Sequence, residues 1–480
     1  MTFISTRRGF RATSAESVAR GLAPDGGLYV PSPEELRRSR EGDAPMYWAE
    51  LGDLGTAAES VMARMFSDLP VGVRRDAVAN LLSKFPAADP IPLVDADSFK
   101  VLELFHGPTG AFKDVALSVL PVLMAHATGD RRVLILTATS GDTGSAAMQG
   151  FAGVPGTEVA VFYPDVGTSR IQRLQMTTPT APNVHAIAIR GNFDDAQAAV
   201  KRIFADPRIR EEAAAHGVEL SSANSINTGR LVPQIAYYLL AAAKLGAAAR
   251  SGFDVVVPSG NFGNILAAYY AKRIGAPIRK FVCASNVNDV LARFVATGVY
   301  DPGDRFTVTN SPSMDIRKSS NVERLVWLLN YDETLPADAA AEAACAETAR
   351  LMDSFARTGR YELNGIAKAA LAAAFEGGVA TPEETEAEMR RMREACGYVL
   401  DPHTAVATAV ARRLGYPKDV PCVVAATATP YKFPETCQRA FGADVLSDPP
   451  PSFRGLGERP VTQTKVVDVD GIDDAVRELF

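Results

Sequence analysis

From about residue 100 onward, short and nearly continuous apolar runs alternate with longer amphipathic stretches. The apolar runs are KVLELF (100–105), RRVLILTAT (131–139), TEVAVFYP (157–164), NVHAIAIRG (183–191), FDVVVPSG (253–260), IRKFVCAS (278–285) and VPCVVAATA (420–428). Runs of Val, Ile and Leu without strict alternation are typical of strands that are covered on both faces. Because helical stretches separate these runs, the pattern predicts an α/β protein with mostly parallel strands in one or two sheets.

Length, composition and charge further limit the domain organisation and the class of protein. The 480 residues correspond to roughly three domains or lobes. With 47% hydrophobic and 22% charged residues, the composition is typical of soluble globular proteins. The net charge of −6 argues against a nucleic-acid binder, because such proteins usually present a basic face.

The cysteines and the apolar segments bear on the cellular compartment. Five widely spaced cysteines without a C-x-x-C pair predict free thiols in a reducing compartment rather than disulfides or a metal site. The N-terminal sequence lacks the apolar core of a signal peptide, and the apolar run 235–243 is soon interrupted by Lys244. We therefore expect a soluble cytoplasmic protein that does not engage a membrane.

Three regions depart from the alternating pattern. Residues 1–90 are predicted to be mainly helical, with a Gly/Pro/Asp turn cluster at 21–31. The alanine-rich block 335–395 is predicted to be a layer of helices without strands. Residues 446–460 are predicted to form a loop, which a short strand and a last helix follow.

The first candidate ligand loop is TATSGDTGSAA (137–147), directly after a predicted strand. Ligands of doubly wound sheets bind at the carboxyl ends of strands, where loops lead into helix N-termini. The hydroxyls of Ser140 and Thr143, together with free backbone N–H groups, suit an anion. Asp142 would repel an anion, so we expect it to accept a hydrogen bond from a ligand hydroxyl or ammonium. A capped helix start alone would not need so many small polar residues.

The second candidate loop is PSGNFGNIL (258–266), after FDVVV. Gly260 and Gly263 permit a close approach of the backbone to a ligand, and the following helix supplies its dipole. The loop lacks the third glycine of a dinucleotide site and the Lys-Ser/Thr pair of a P-loop. It therefore suits a phosphate monoester better than a nucleotide.

A candidate nucleophile lies in HGPTGAFKDVAL (106–117). Lys113 follows Gly110 by three residues and precedes Asp114, so the segment is not a P-loop. Partial desolvation near the positive end of a helix should lower the pKa of this lysine, which favours Schiff-base formation. The alternative is a surface lysine whose stem lies along the protein.

A third strand end, AATATPYKF (425–433), offers the hydroxyls of Thr427 and Thr429, although threonines often cap strands.

One cofactor fits all of these candidate features, which are a Schiff-base lysine, a cup for a phosphate monoester, a second polar loop and a strand-end hydroxyl. Pyridoxal 5'-phosphate needs a lysine for its aldehyde, a cup for its phosphate and a partner for its ring nitrogen. We therefore expect pyridoxal 5'-phosphate as the cofactor.

The chain resembles the threonine synthase family, in its longer bacterial and fungal form, along nearly its whole length. The matching segments are STR (5–7), GLAPDGGLYVP (21–31), HGPTGAFKDVAL, TATSGDTGSAA, NSINTGRLVPQIAYY (224–238), VVPSGNFGNILAAYYAKRIG (256–275), SPSMDIRKSSNVERLVW (311–327) and DPHTAVA (401–407). The lysine segment and SPSMDI with SSN-x-ERL are the most distinctive of them. The resemblance implies a fold-type II pyridoxal-phosphate enzyme, similar to the tryptophan synthase β subunit, with two α/β lobes.

The resemblance also implies a division of the chain and an activity. Residues 1–90 would form an N-terminal extension, 91–120 and 226–445 the large cofactor-binding lobe, 121–225 the small lobe and 446–480 a C-terminal tail. The reaction would convert O-phospho-L-homoserine and water into L-threonine and phosphate, by γ-elimination and β-addition of water. The enzyme would be a monomer, with a homodimer as the alternative, and its substrate a small phosphorylated amino acid.

By the same resemblance, Lys113 carries the internal aldimine and shuttles protons. The other residues that would hold the cofactor are Asp142, Gly260, Asn261, Phe262, Gly263, Asn264 and Thr427, the last of them facing the ring nitrogen. The residues expected on the substrate side are Thr139, Ser140, Gly141 and Thr143 near the carboxylate, and Asn227 and Arg230 near the phosphate. A guanidinium suits this last task because its donors match a phosphate in geometry.

Two family motifs are altered in this chain. The usual I-N-W-A-R reads INTGR at 226–230, and T-A-H-P-A-K-F reads TATPYKF at 427–433. Because both segments flank the expected site, a paralogue with a changed substrate or nucleophile is an alternative, as is a lyase that releases phosphate and a 2-oxo acid. Tyr431 could refill the volume that the missing Trp vacates.

Other classes of function fit less well. A binding module descended from such an enzyme would be expected to lose Lys113 or the phosphate cup, and both are present. A phosphate-ester hydrolase would need a metal cluster or a nucleophile elbow, and the sequence predicts neither. Of the histidines, we expect His106 rather than His403 to reach the site, although each is more typical of a structural residue.

Overall fold

The computed structural model describes residues 1–41 and 47–480. The strands are β1 Phe3–Ser5, β2 Arg11–Ala12, β3 Tyr29–Pro31, β4 Leu93–Ala96, β5 Phe99–Glu103, β6 Arg132–Ala138, β7 Thr157–Pro164, β8 Val184–Arg190, β9 Val218–Ser222, β10 Phe253–Pro258, β11 Ile278–Ser285, β12 Val299–Tyr300, β13 Tyr361–Glu362, β14 Phe375–Val379, β15 Cys422–Ala426 and β16 Val466–Asp468. The helices are α1 Ser14–Arg20, α2 Pro33–Glu41, α3 Leu54–Met65, α4 Val71–Ser83, α5 Lys113–Thr128, α6 Asp142–Phe151, α7 Arg170–Thr177, α8 Phe193–Ala205, α9 Pro207–Ala215, α10 Thr228–Leu231, α11 Ile235–Leu245, α12 Gly263–Arg273, α13 Val290–Thr297, α14 Val322–Leu329, α15 Ala337–Thr358, α16 Gly365–Ala374, α17 Pro382–Cys396, α18 Pro402–Arg413, α19 Pro434–Phe441 and α20 Ile472–Arg477.

The larger sheet has the strand order β14-β11-β10-β15-β5-β4, in which only β4 pairs antiparallel. Consecutive residues of β10, such as Val255, Val256 and Val257, are all fully buried. Both faces of the strand are therefore covered, which explains why its sequence is continuously apolar. Helices α12 and α18 supply part of that cover.

The smaller sheet has the order β16-β8-β7-β6-β9 and is parallel throughout. All seven strands predicted from the apolar runs are confirmed in these two sheets. Strand β16 comes from the C-terminal 446–480 segment and extends the edge of this sheet. Helix α20 buries Ile472 and Val476 in the same core, so the tail packs as part of the smaller lobe.

The N-terminal region combines helices with an antiparallel sheet of order β2-β1-β3. Helix α1 packs against α5 and α10, and helices α3 and α4 pack against α11 and α5. These contacts place the N-terminal region directly behind the helix that begins at Lys113. The prediction of a mainly helical segment is confirmed for α1 to α4, which cover nearly half of residues 1–90, but it does not include the pairing of β1, β2 and β3.

The prediction that 335–395 lacks strands is wrong. Strand β13 pairs with β12, and β14 forms the edge of the larger sheet beside β11. A Cβ on Gly377 would lie 3.1 Å from the Ala292 Cα, and one on Gly378 would lie 2.6 Å from a Val410 methyl. The glycines therefore let helices approach closely on both sides of this strand, and an alanine-rich context conceals it from sequence analysis.

The apolar run at 235–243 belongs to a longer helical stretch, Thr228–Ser251. Within the described part of the chain, this is the one stretch long and apolar enough to cross a membrane, and 72% of its most apolar window is buried inside the protein. Tyr237 and Tyr238 are fully buried among neighbouring helices. The stretch is therefore a core helix of the larger lobe.

Candidate active site

The candidate site is an open cleft between the two sheets, which contains about 870 Å³ of empty space when the solvent at its mouth is included. Loops after β5, β6, β10 and β15 reach it, because the carboxyl ends of parallel strands meet where the two lobes face each other. The lining residues are Phe112, Lys113, Ala138, Thr139, Ser140, Asp142, Thr143, Phe193, Asn224, Ser225, Arg230, Gln234, Pro258, Ser259, Gly260, Asn261, Phe262, Gly263, Asn264, Ser313, Met314, Ile316, His403 and Thr427. The sequence-predicted residues thus meet in one place, with the exceptions described below.

Lys113 is the first residue of α5, and its side chain is only 12% exposed. The amine Nζ lies 3.4 Å from Asp142 Oδ2 and 5.5 Å from the centre of the Phe112 ring. Burial lowers the pKa of Lys113, Asp142 opposes that change, and the nearby cations Arg230 and Lys432 lower the pKa further. A lysine with a lowered pKa is a better nucleophile at neutral pH.

The loop 260–264 turns sharply into helix α12. Phe262 adopts a left-handed backbone with φ of 61°, and the helix begins at Gly263. A Cβ on Gly260 would lie 2.7 Å from the carbonyl oxygen of Ser313, so a side chain there would displace the loop. The N–H groups of the first helical turn have no partner within the helix and point outward, which suits an anion.

The segment 311–321 holds this loop in place. Ser319 Oγ donates to the carbonyl of Gly260 at 2.8 Å, and Asn321 Nδ2 donates to the carbonyl of Asn261 at 3.0 Å. Ser320 Oγ also lies within 3.3 Å of Asn261 Oδ1. The loop is therefore fixed by contacts from outside itself.

Two buried side-chain nitrogens of the cleft have no hydrogen-bond partner among the described residues. They are Asn264 Nδ2 and Arg230 Nε. Burial lowers the pKa of Arg230 to about 10, so the guanidinium remains charged at neutral pH. Buried donors normally find partners, and a bound anion would supply them here.

The loop 139–143 lines the cleft from the smaller sheet. Thr139 Oγ1 accepts from the N–H groups of Gly141 and Gly144, at 2.9 and 3.0 Å. Gly141 has φ of 141° and does not itself line the cleft; a Cβ there would lie 2.5 Å from Gln172. Its role is to let the loop turn, while Ser140 and Thr143 reach the cleft.

Asp142 occupies a more crowded position than the sequence predicts. Its carboxylate accepts from Gln172 at 2.8 Å and from Ser313 at 2.8 Å, and it pairs with Lys432 at 3.0 Å and Lys113 at 3.4 Å. Burial would raise its pKa, but Lys432 and Lys113 hold it well below 3.8. Protein donors thus occupy the lone-pair sites of Asp142 in this structure, so a ligand donor could reach Oδ2 only where Lys113 leaves it.

The prediction that Asn227 binds the substrate is also wrong. Its Nδ2 donates to the carbonyls of Val18 and Ser222, its Oδ1 accepts from Gly229, and the residue is fully buried outside the cleft. Asn227 caps helix α10 and anchors helix α1. Arg230, within the short helix that Asn227 caps, does line the cleft.

The altered motif residues lie away from the cleft lining. Thr228 Oγ1 bonds to Ser17 Oγ at 2.9 Å, and a Cβ on Gly229 would lie 2.6 Å from Leu120. Tyr431 Oη donates to the carbonyl of Asp448 at 2.5 Å, so it contacts the C-terminal segment. Tyr431 therefore does not refill the volume of the missing Trp, because the two positions have separate surroundings.

His403 lines the cleft and His106 does not, which is the reverse of the expectation from sequence. His106 is at the surface, where its Nε2 lies 2.6 Å from Glu103. His403 is buried and lines the cleft; its Nε2 accepts from the N–H of Ser313 at 3.1 Å, and its Nδ1 lies 2.9 Å from Asp401. Asp401 caps helix α18 and so orients the ring.

Sequence reasoning missed several lining residues that lie inside recognised motifs. Ser313, Met314 and Ile316 belong to SPSMDI, and Asn224, Ser225 and Gln234 belong to NSINTGRLVPQ. Their placement in distinctive motifs was the available signal. Phe193, at the start of α8, had no such signal because it lies in an ordinary amphipathic helix.

Comparison with known families gives two matches along the chain. Residues 86–381 match the family described as pyridoxal-phosphate dependent enzyme. Residues 404–476 match the family described as threonine synthase, C-terminal. The first match spans most strands of both sheets and the cleft loops after β5, β6 and β10, and the second spans the segment from α18 to α20, which includes β15, Thr427 and β16.

Individual relatives agree with these matches. The chain is 36% identical to threonine synthase of Pseudomonas aeruginosa, over 98% of this chain and 93% of that protein. It is 37% identical to threonine synthase-like 1 of Macaca fascicularis, over 93% of this chain and 62% of that protein. Its structure is similar to the crystal structure of threonine synthase from Brucella melitensis with bound pyridoxal phosphate, with a TM-score of 0.84, 34% identity, and coverage of 100% and 99%.

Proposed function

The chain belongs to the threonine synthase family of pyridoxal-phosphate-dependent enzymes, and we propose that it converts O-phospho-L-homoserine and water into L-threonine and phosphate. One observation carries this proposal. A buried lysine with a lowered pKa, Lys113, opens on the same cleft as a helix N-terminus that carries unpartnered donors. Pyridoxal 5'-phosphate requires this combination of an amine and an anion site.

The residues of the cleft fit the cofactor. Lys113 would bond to its aldehyde carbon, and residues 260–264 with the first turn of α12 would hold its phosphate. The unpartnered Asn264 Nδ2 supports this assignment, because a phosphate oxygen would satisfy it. Thr427, which lines the cleft, would face the ring nitrogen. When bound, the cofactor withdraws electrons from the carbons of an amino-acid substrate and so makes their protons acidic.

The chain itself would handle the protons and the charges. The amine of Lys113 would take a proton from the α-carbon of the substrate and then one from the β-carbon, so that phosphate can leave from the γ-carbon, and it would return protons to the γ- and α-carbons. This task suits an amine with a lowered pKa. Asp142 Oδ2, 3.4 Å away, orients that amine. The loop 139–143 would bind the substrate carboxylate through Ser140, Thr143 and backbone N–H groups.

Arg230 would bind the phosphate of the substrate. Its guanidinium is buried, charged at neutral pH and without a partner at Nε. Because the net charge of the protein is −6, attraction of a phosphorylated amino acid must come from local cations and helix ends. Elimination of phosphate from the γ-carbon and addition of water at the β-carbon then complete the reaction.

The altered motifs do not favour a changed substrate. Thr228, Gly229, Thr429 and Tyr431 are not among the residues that line the cleft. This observation supports the threonine synthase reaction over the alternative of a phospho-amino-acid lyase.

We also propose a soluble, cytoplasmic and monomeric enzyme. The one long apolar helix of the described chain is a buried core element. Four of the five cysteines are buried, and all are free thiols, as expected in a reducing compartment. Size-exclusion chromatography with light scattering would measure the oligomeric state, and a dimer would contradict this part of the proposal.

The function is tested by purifying the protein with pyridoxal phosphate and by supplying O-phospho-L-homoserine. We expect a visible absorbance band from the lysine-bound cofactor and equal amounts of phosphate and threonine. Lys113→Ala should lose the band and the activity, whereas Lys418→Ala, at an exposed lysine, should keep both. Release of phosphate with a 2-oxo acid and without threonine would instead identify the lyase.

A further inference from the structure

A second lysine, Lys432, is buried beside the site. None of its side chain is exposed. Its ammonium lies 2.9 Å from the carbonyl of Thr109, 2.9 Å from Gln175 Oε1 and 3.0 Å from Asp142 Oδ1. Since an ammonium has three donors, these contacts use all of them, and Lys432 has none left for a substrate or a cofactor.

The contacts of Lys432 join the two lobes. Lys432 and Thr109 lie in segments that follow β15 and β5 of the larger sheet. Asp142 begins α6, which packs on the smaller sheet, and Gln175 lies in α7, which packs against α6. Ser169, the cap of α7, adds a bond from its hydroxyl to the carbonyl of Lys432 at 2.7 Å.

Lys432 and Lys113 share one carboxylate. Lys432 approaches Asp142 Oδ1, which also accepts from Gln172, whereas Lys113 and Ser313 approach Oδ2. Each oxygen thus has one lysine and one neutral donor. Two cations therefore approach one buried carboxylate, and the buried Asp114 is a further acidic group that acts on Lys432.

We propose that Lys432 is a positioning residue for Lys113, because it holds Oδ1 of Asp142 and thereby limits Lys113 to a weak contact with Oδ2. The lysine amine can then leave the carboxylate to react. This inference rests on the proposed role of Lys113 as the residue that bonds the cofactor. The longer distance at Lys113, 3.4 Å against 3.0 Å at Lys432, supports the unequal sharing.

Loss of Lys432 should strengthen the pair between Asp142 and Lys113. The charged groups that act on Lys113 are Asp142, Arg230 and Lys432, and His403 acts on Asp142. Removing Lys432 deletes one neighbouring cation and leaves the carboxylate entirely to Lys113, so both changes raise the pKa of the Lys113 amine. A charge within about 4–6 Å shifts a pKa by about 1–3 units.

The test compares full-length wild type with Lys432→Met, after removal of the cofactor. The pH dependence of acetylation of Lys113 by acetic anhydride, followed by peptide mass spectrometry, measures the pKa of the amine. We expect the midpoint to rise by about one pH unit or more. At pH 7 the cofactor should then bind covalently about tenfold more slowly for each unit, because less neutral amine is present.

Gln175→Leu is the matched control. It removes a neutral contact between the lobes but keeps the charge of Lys432, so it should leave the midpoint for Lys113 unchanged. A folded Lys432→Met protein with an unchanged midpoint overturns the proposal, as does an equal shift in Gln175→Leu. If Lys432→Met does not fold, Lys432→Gln replaces it; failure of both to fold shows a purely structural role and overturns the proposal.

These outcomes are separate from those of the proposed function. A wild-type protein that binds pyridoxal phosphate through Lys113 but makes no threonine contradicts the reaction, while the shift in Lys432→Met still supports the positioning role. A protein whose Lys113 does not bond to the cofactor contradicts both.

Discussion

The two glycine-containing loops of the cleft are held in different ways. The loop 260–264 is tied by Ser319 and Asn321 of a neighbouring segment of the same lobe. The loop 139–143 is held by its own Thr139, whose hydroxyl accepts from two of the N–H groups that follow. Its contacts to the opposite lobe pass through Asp142, which reaches Lys113, Ser313 and Lys432.

The two kinds of support correspond to two proposed tasks, binding of the cofactor phosphate and binding of the substrate. The proposed phosphate cup is a fixed part of the larger lobe, so it is organised before any ligand arrives, and preorganisation reduces the entropic cost of binding. The proposed substrate-side loop belongs to the smaller lobe, and the carboxylate of Asp142 links it to Lys113, Ser313 and Lys432. Variants that alter each support should therefore have distinct effects.

The largest effect is expected for Asp142→Asn. This change leaves the buried Lys113 and Lys432 without their carboxylate, and breaking a buried ion pair costs about 3–5 kcal/mol in the free energy of unfolding. Urea denaturation of the cofactor-free protein measures it. Asp165→Asn, at an exposed carboxylate of the same lobe, should cost at most about 1 kcal/mol. Equal stability of the two variants would contradict the role of Asp142.

The wild-type contribution of Asp142 also has a defined pH dependence. The folded-state pKa lies well below the usual 3.8, so the stabilisation is present above the unfolded pKa and is lost as the pH falls through the lower folded value. Acid unfolding of wild type should therefore begin at a lower pH than it would with an unperturbed carboxyl.

An intermediate effect is expected for Gly260→Ala. The added Cβ would lie 2.7 Å from the carbonyl oxygen of Ser313 and 3.5 Å from the Cα of Met314, and backbone atoms cannot move aside cheaply. Overpacking of this kind costs about 1–3 kcal/mol, so the dissociation constant for pyridoxal phosphate should rise about tenfold or more.

Gly365→Ala is the control for this experiment. A Cβ there would meet no atom within 4 Å, and the residue does not line the cleft. Equilibrium dialysis of the cofactor against both variants should therefore show a large change for position 260 and little for 365. Equal changes would show that the cup is not held as tightly as its contacts indicate.

The smallest effects are expected for Thr139→Val and Ser319→Ala, which each remove one hydroxyl. Each variant should weaken ligand binding at its own loop by about 1 kcal/mol, because a single hydrogen bond contributes about that much. Thr139→Val should raise KM for O-phospho-L-homoserine and leave the cofactor dissociation constant nearly unchanged, and Ser319→Ala should do the reverse. If both variants alter the same constant, the two loops do not act separately.

Much of the fold and most of the site could be predicted from local sequence. Apolar runs identify buried parallel strands, and loops rich in Gly, Ser and Thr after those strands must meet at one edge. Strand β14 was missed because Gly377 and Gly378 resemble a break in a helix, and only the helices packed on either side explain them. Asn227 was misassigned because a cap residue and a ligand residue have the same side chain.

The sequence by itself determined the α/β class and the family, and it predicted Lys113 as the nucleophile and 260–264 as the phosphate loop, because each depends on residues close together in the chain. Only the tertiary structure decided that His403 rather than His106 reaches the cleft, that β16 completes the smaller sheet, and that Lys432 shares Asp142 with Lys113. These contacts join residues tens to hundreds of positions apart. They arise from the packing of whole elements, which local patterns of residues do not specify.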